Sequence, residues 1–198
     1  IPKGVKEITM KSFHRIHVLG SFPKSLKKLH LKVELAEYRM GLFPDGLEEI
    51  DFAFGSLNMD LSVLPIQLKH ISFQGYLHMP FYHIRHSLLP LHLESLTFHG
   101  YCYFAQPLNS YSFPPHLKTI LFNFNFNQPL FPGFFPKGLK QLDLGMEFNQ
   151  PLVPGVFPFP LERLHLGVQY NQSISLDVLP QGLTHLFLSQ YFNQSLFV

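Results

Sequence analysis

Nine prolines each carry apolar residues at the third, sixth and eighth positions downstream: Pro2, Pro23, Pro44, Pro65, Pro90, Pro114, Pro136, Pro158 and Pro180. Their spacings are 21, 21, 21, 25, 24, 22, 22 and 22 residues. A period of about 22 residues sustained from end to end constrains the chain to a solenoid, because a unit that short cannot bury an apolar face except against its neighbours. The expected organisation is one repeat domain, 1–198, of nine units starting at those prolines, with no linker between them. Ile1 falls inside one unit and Val198 inside another, so a fragment of a longer chain is expected.

The unit from Pro136 shows the local logic. Proline at the second position of a tight turn and Gly138 at the fourth fit a type I turn. Leu142 and Leu144, one residue apart, share one face of a short strand. The stretch from Phe148 to Phe157 holds Pro151, Pro154 and Gly155, which exclude a regular helix. An extended or irregular back is expected, of similar width to the strand side, so the stack should curve only slightly.

Composition narrows the function classes. Apolar residues make up 46% and charged residues 14%, with 22 Phe and no Trp, so one aromatic shape is used repeatedly as packing material. A net charge of +2 is too small to argue for nucleic acid. The single cysteine, Cys102, excludes an internal disulfide and fits a reducing compartment, so an intracellular, cytoplasmic location is expected. No apolar run reaches the roughly 18 residues that span a bilayer, so no membrane partner is expected. No phosphate loop, nucleophile elbow or paired-carboxylate motif stands out, so no enzyme activity and no cofactor are assigned.

Four segments recur twelve residues after their prolines: Phe126-Asn127-Gln128-Pro129-Leu130, Phe148-Asn149-Gln150-Pro151-Leu152, Tyr170-Asn171-Gln172-Ser173-Ile174 and Phe192-Asn193-Gln194-Ser195-Leu196. With the Pro-x-x-Leu-x-x-Leu-x-Leu half, they resemble the FNIP repeat, a relative of the leucine-rich repeat found in amoebae and the large DNA viruses that infect them. The fold expected is therefore a β-rich, leucine-rich-repeat-like solenoid. It is a right-handed coil with a parallel sheet on one side, a non-helical back and shallow curvature. The resemblance also implies substrate-recognition repeats of an F-box-type ubiquitin-ligase adaptor, since some viral members carry an F-box upstream.

The asparagines Asn127, Asn149, Asn171 and Asn193 are read as a buried structural ladder. Asn171-Gln-Ser and Asn193-Gln-Ser match the glycosylation pattern, which an interior ladder would make accidental. Phe104, Phe126, Phe148, Tyr170 and Phe192 form one expected core column, and Phe22, Phe43, Phe113, Phe135 and Phe157 a second. His78, His83 and His86 cluster where the repeat is longest, but no acidic residue lies between Tyr76 and His92, so no metal is assigned.

Positions flanking the strand leucines point away from the core. They supply the candidate partner-binding residues Lys28, His30, Lys32, Glu49, Asp51, His70, Leu121, Arg163, His165 and Phe187. A basic row next to an acidic row admits two readings. The rows neutralise one another, or they fix the register of a protein partner with Leu121 and Phe187 as anchors. The function expected is a protein–protein interaction module with an unidentified protein partner. The alternative is a structural component that self-associates through its solenoid ends or surface into a filament or particle.

Overall fold

The computed structural model describes residues 1–12, 14–52, 61–74, 89–99, 108–109, 111–122 and 124–196. His78, His83, His86, Cys102 and Phe104 lie outside them. Among the described residues, nine short strands run in chain order through one sheet: β1 (Glu7–Lys11), β2 (Lys28–Lys32), β3 (Glu49–Phe52), β4 (His70–Gln74), β5 (Ser95–His99), β6 (Thr119–Leu121), β7 (Gln141–Asp143), β8 (Arg163–His165) and β9 (His185–Phe187). Every neighbouring pair is parallel. The residue six after each proline sits beside its equivalent in the next turn. Ile71 faces Leu96 and Leu96 faces Ile120, although those units are 25 and 24 residues long. The extra residues are therefore accommodated outside the strands, and the sheet keeps its register.

Each strand follows the same turn, but its phase differs from the sequence expectation. The leucine or valine three residues on donates its N–H to the proline carbonyl, as in Leu26 to Pro23 at 3.0 Å and Leu139 to Pro136 at 3.1 Å. All nine prolines accept this bond. Proline thus occupies the first corner of the turn and glycine the third, not the second and fourth. The carbonyl is the group the turn uses, so the missing proline N–H costs nothing.

The strands of the early turns are longer than those of the late ones, and glycine explains part of this. Gly145 and Gly167, nine residues after their prolines, have φ of 80° and 98° and end β7 and β8 after three residues. An L side chain resists that left-handed conformation. At the same position, Lys32 and Gln74 continue β2 and β4 to five residues.

Leu26, Leu47, Leu68, Leu93, Leu117, Leu139 and Leu161, each three after its proline, have no exposed surface. Behind the strands the aromatic columns stack one ring per turn. Phe52, Phe73, Phe98 and Phe122 are separated by 5.6, 5.5 and 5.9 Å. Phe126, Phe148, Tyr170 and Phe192 follow at 6.0, 6.0 and 6.3 Å, and Phe113, Phe135 and Phe157 at 6.4 Å each. The back is extended, with isolated parallel bridges Ile16–Leu35 and Ile174–Leu196. Among the described residues its one helical piece is a single 3₁₀ turn, Leu61–Val63.

Candidate functional site

The outer face of the sheet is the broad surface on which side chains vary from turn to turn. Two columns project from it, five and seven residues after each proline, and a third lies just before each strand. Parallel pairing brings residues of equal phase side by side, so the charges of adjacent turns meet. Lys27 pairs with Glu48 at 2.8 Å, Lys28 with Glu49 at 2.7 Å, Lys118 with Glu94 at 2.6 Å and Lys140 with Glu162 at 2.7 Å. The lysine hydrogen bonds hold Glu48, Glu94 and Glu162 below the usual carboxylate range, and Glu49 raises Lys28. These pairs are exposed, and such pairs contribute little to stability. Mutual neutralisation of the rows is thus realised at Lys28 and Glu49.

His30 and Asp51 form a tighter contact. The ring Nδ1 lies 2.5 Å from Asp51 Oδ2, and the ring Nε2 lies 3.4 Å from Glu7 Oε1 on β1. The His30 and Asp51 side chains are only 19% and 23% exposed, despite standing on the outer face. One atom each of His30, Glu49 and Asp51 falls within 4.8 Å of the others. Sequence reasoning missed Glu7, although it shares the phase of Lys28 and Glu49. Lys32 and His70 are exposed and make no ion pair among the described residues. Leu121 is half-buried and lies beside Asp143 in the register of β6 and β7.

The far end of the face differs in character. Gln141, Asp143, Arg163, His165 and Phe187 line a shallow depression of about 280 Å³, floored by Leu142 and Leu164. His165 Nδ1 lies 3.0 Å from Asp143 Oδ1, and that hydrogen bond raises the imidazole pKa against the opposing effect of burial. Phe187 is 50% exposed, with its ring 5.9 Å from that of His165. Arg163 is exposed and makes no ion pair among the described residues. The structure therefore brings Phe187 together with His165, 22 residues earlier in the chain, and Arg163, 24 residues earlier. In the two strand columns between the ends, Ser72, Ser95, Thr97 and Thr119 are small and uncharged.

On the opposite side, the four asparagines are joined turn to turn. The Oδ1 atoms of Asn127, Asn149 and Asn171 accept from the backbone N–H of the next asparagine at 3.0, 2.9 and 3.0 Å. Gln150 and Gln172 add side-chain amide donors to the same oxygens at 3.0 and 3.1 Å. The expected burial is not found: Asn149 and Asn171 are half-buried, and Asn127 and Asn193 are exposed. The preceding aromatic ring takes the interior place, which leaves the amide on the rim. The bonds described use the carbonyl side of these amides, so an interior ladder no longer explains why the two glycosylation patterns would be accidental.

No helix among the described residues is long and apolar enough to cross a membrane. No curated protein matches the sequence significantly. Among solved structures, the chain is similar to CroV588, a giant-virus protein described as a novel circular LRR protein. The two share 29% identity with a TM-score of 0.84, over 98% of this chain and 28% of that one. The chain therefore spans little more than a quarter of that relative's length. YopM from Yersinia enterocolitica WA-314 is matched at 20% identity and a TM-score of 0.49, over 94% of this chain and 42% of that one. The FNIP Repeat family model matches residues 104–147 and 148–191. The chain is thus a leucine-rich-repeat-like parallel β-solenoid, with FNIP repeats matched over residues 104–191.

Proposed function

We propose that this chain is a non-catalytic protein-binding module that recognises its partner with the outer face of the sheet. The observation that carries this reading is the contrast between phases. The position three after each proline is leucine in eight of nine units, whereas the position five after runs Glu7, Lys28, Glu49, His70, Ser95, Thr119, Gln141, Arg163, His185. A constant interior beneath a variable, register-locked exterior gives each turn its own chemistry on one continuous surface. The exposed Phe187 ring beside Arg163 supplies the combination of aromatic and guanidinium groups that anchors protein interfaces.

A finer reading places these repeats as the substrate receptor of an F-box-type ubiquitin-ligase adaptor. It is supported by the FNIP repeats themselves. Its test is ubiquitin transfer to a captured partner by the full-length protein assembled with its ligase.

The binding reading is tested by affinity capture with the intact chain and with an Arg163→Glu, Phe187→Ser double variant. A Phe159→Ser variant, altered at a ring outside the strands that is 74% exposed, serves as control. Loss of the same partner in the first variant but not the control supports the reading. Equal capture by both variants refutes it.

A second reading has its own observation. CroV588 is described as circular, and nearly all of this chain superposes on about a quarter of it. On this reading the stack is one arc of a larger assembly, closed by further repeats or by other copies. Small-angle scattering of the full-length protein distinguishes a ring from an open rod.

A further inference from the structure

We propose that His30, Glu49 and Asp51 form a binding site for a divalent transition-metal ion of the zinc type. Parallel pairing sets Asp51 directly beside His30, and β3 places Glu49 two residues earlier on the same face. One imidazole nitrogen and two carboxylate oxygens then converge within 4.8 Å of one another. Zinc bonds to nitrogen and oxygen are about 2.0–2.2 Å long, so small side-chain rotations bring all three donors onto one ion and leave a position for water.

Three further features favour a cation here. First, the second ring nitrogen of His30 lies 3.4 Å from the Glu7 carboxylate. A ligating histidine uses such a partner to fix its tautomer and strengthen its donor nitrogen. Second, the group holds three carboxylates, Glu7, Glu49 and Asp51, and Lys28 is the lysine paired with one of them. Lys28 contacts Glu49 Oε2 at 2.7 Å, and a carboxylate has a second oxygen with which to ligate. Third, the His30, Glu49 and Asp51 side chains are 19%, 26% and 23% exposed, so each is partly withdrawn from water. The mixed nitrogen and oxygen donor set suits zinc, cobalt or nickel better than calcium or magnesium, which prefer oxygen alone.

The molecule carries its own control. Asp143 and His165 repeat the carboxylate–imidazole pair on β7 and β8, at 3.0 Å. The residue equivalent to Glu49 there is Gln141, whose neutral amide supplies no second carboxylate. One site is therefore expected where two histidine–aspartate pairs exist.

The test is titration of the purified chain with Co²⁺, followed by visible absorption, and then displacement by Zn²⁺. The expected result is a His30-dependent site of one ion per chain. His30→Ala, Asp51→Asn and the nearly isosteric Glu49→Gln each weaken it at least about tenfold, on the scale known for altered metal sites. His165→Ala leaves it unchanged, and circular dichroism shows that each variant is folded. Absence of binding by the wild-type chain overturns the proposal. So does equal binding by wild type and Glu49→Gln, which would assign the metal to other histidines.

Discussion

The backbone N–H of Asn149 donates to the side-chain Oδ1 of Asn127, one turn earlier, at 3.0 Å. The same bond links Asn171 to Asn149 and Asn193 to Asn171, so each asparagine secures the backbone of the turn that follows. Asn149→Ala removes the acceptor used by Asn171 and by the Gln172 amide. It should cost about 1–2 kcal/mol in urea unfolding, because a half-buried N–H is left unmatched. Among the described residues, Asn193 Oδ1 is used only by the exposed Gln194 amide, at 2.8 Å. Asn193→Ala should therefore cost no more than about 0.5 kcal/mol. Equal losses for the two variants would show that the ladder does not couple turns.

Tyr170 replaces phenylalanine in its column and is fully buried between Phe148 and Phe192. Its hydroxyl has no hydrogen-bond partner among the described residues, and burial pushes its pKa up to about 12. Tyr170→Phe keeps the ring and removes the unmatched polar atom. The variant should be more stable by about 1 kcal/mol, measured by denaturant midpoint. A loss of stability would mean that the hydroxyl is satisfied in solution.

What the sequence disclosed depends on what each feature requires. The leucines and aromatic columns were legible because residue type at a fixed phase is all that a stacked core needs. The phase of the proline turn was not, since proline and glycine are compatible with more than one turn position, and only the Leu139 to Pro136 hydrogen bond separates the choices. The asparagine column showed its phase but not its depth. Phe148 and Asn149 are neighbours, and which of them points inward is decided by packing. The pairing of His30 with Asp51 follows from the 21-residue period once register is known, but the convergence of Glu49 and Glu7 on them is a matter of rotamers.

Gly167 and Gly133 both adopt left-handed backbone, with φ of 98° and 79°, yet differ in surroundings. A Cβ on Gly167 would lie 1.9 Å from the Gly145 carbonyl oxygen, while one on Gly133 meets nothing within 4 Å. Gly133→Ala should cost about 1–2 kcal/mol, the strain of the left-handed region alone. Gly167→Ala adds displacement of a neighbouring backbone and should cost roughly 3–5 kcal/mol. Thermal unfolding of the two variants provides the comparison. A Gly167 cost no larger than that of Gly133 would mean that adjacent turns separate freely at this corner.

His165 provides the pH dependence. The Asp143 hydrogen bond raises its pKa above the ordinary 6.5, with burial acting in opposition. A group whose folded pKa is raised binds its proton more tightly in the folded state. Its stabilising contribution is complete below the unfolded value and disappears as pH rises through the folded value. The wild-type chain should therefore gain stability over Asp143→Asn most at about pH 5.5, and the gain should shrink toward about pH 8. The His165 side chain is 38% exposed, so solvent screening keeps the effect small. Histidine titration by NMR gives the direct readout, with the His165 pKa falling in Asp143→Asn. An unchanged value would mean that the contact with Asp143 is not maintained in solution.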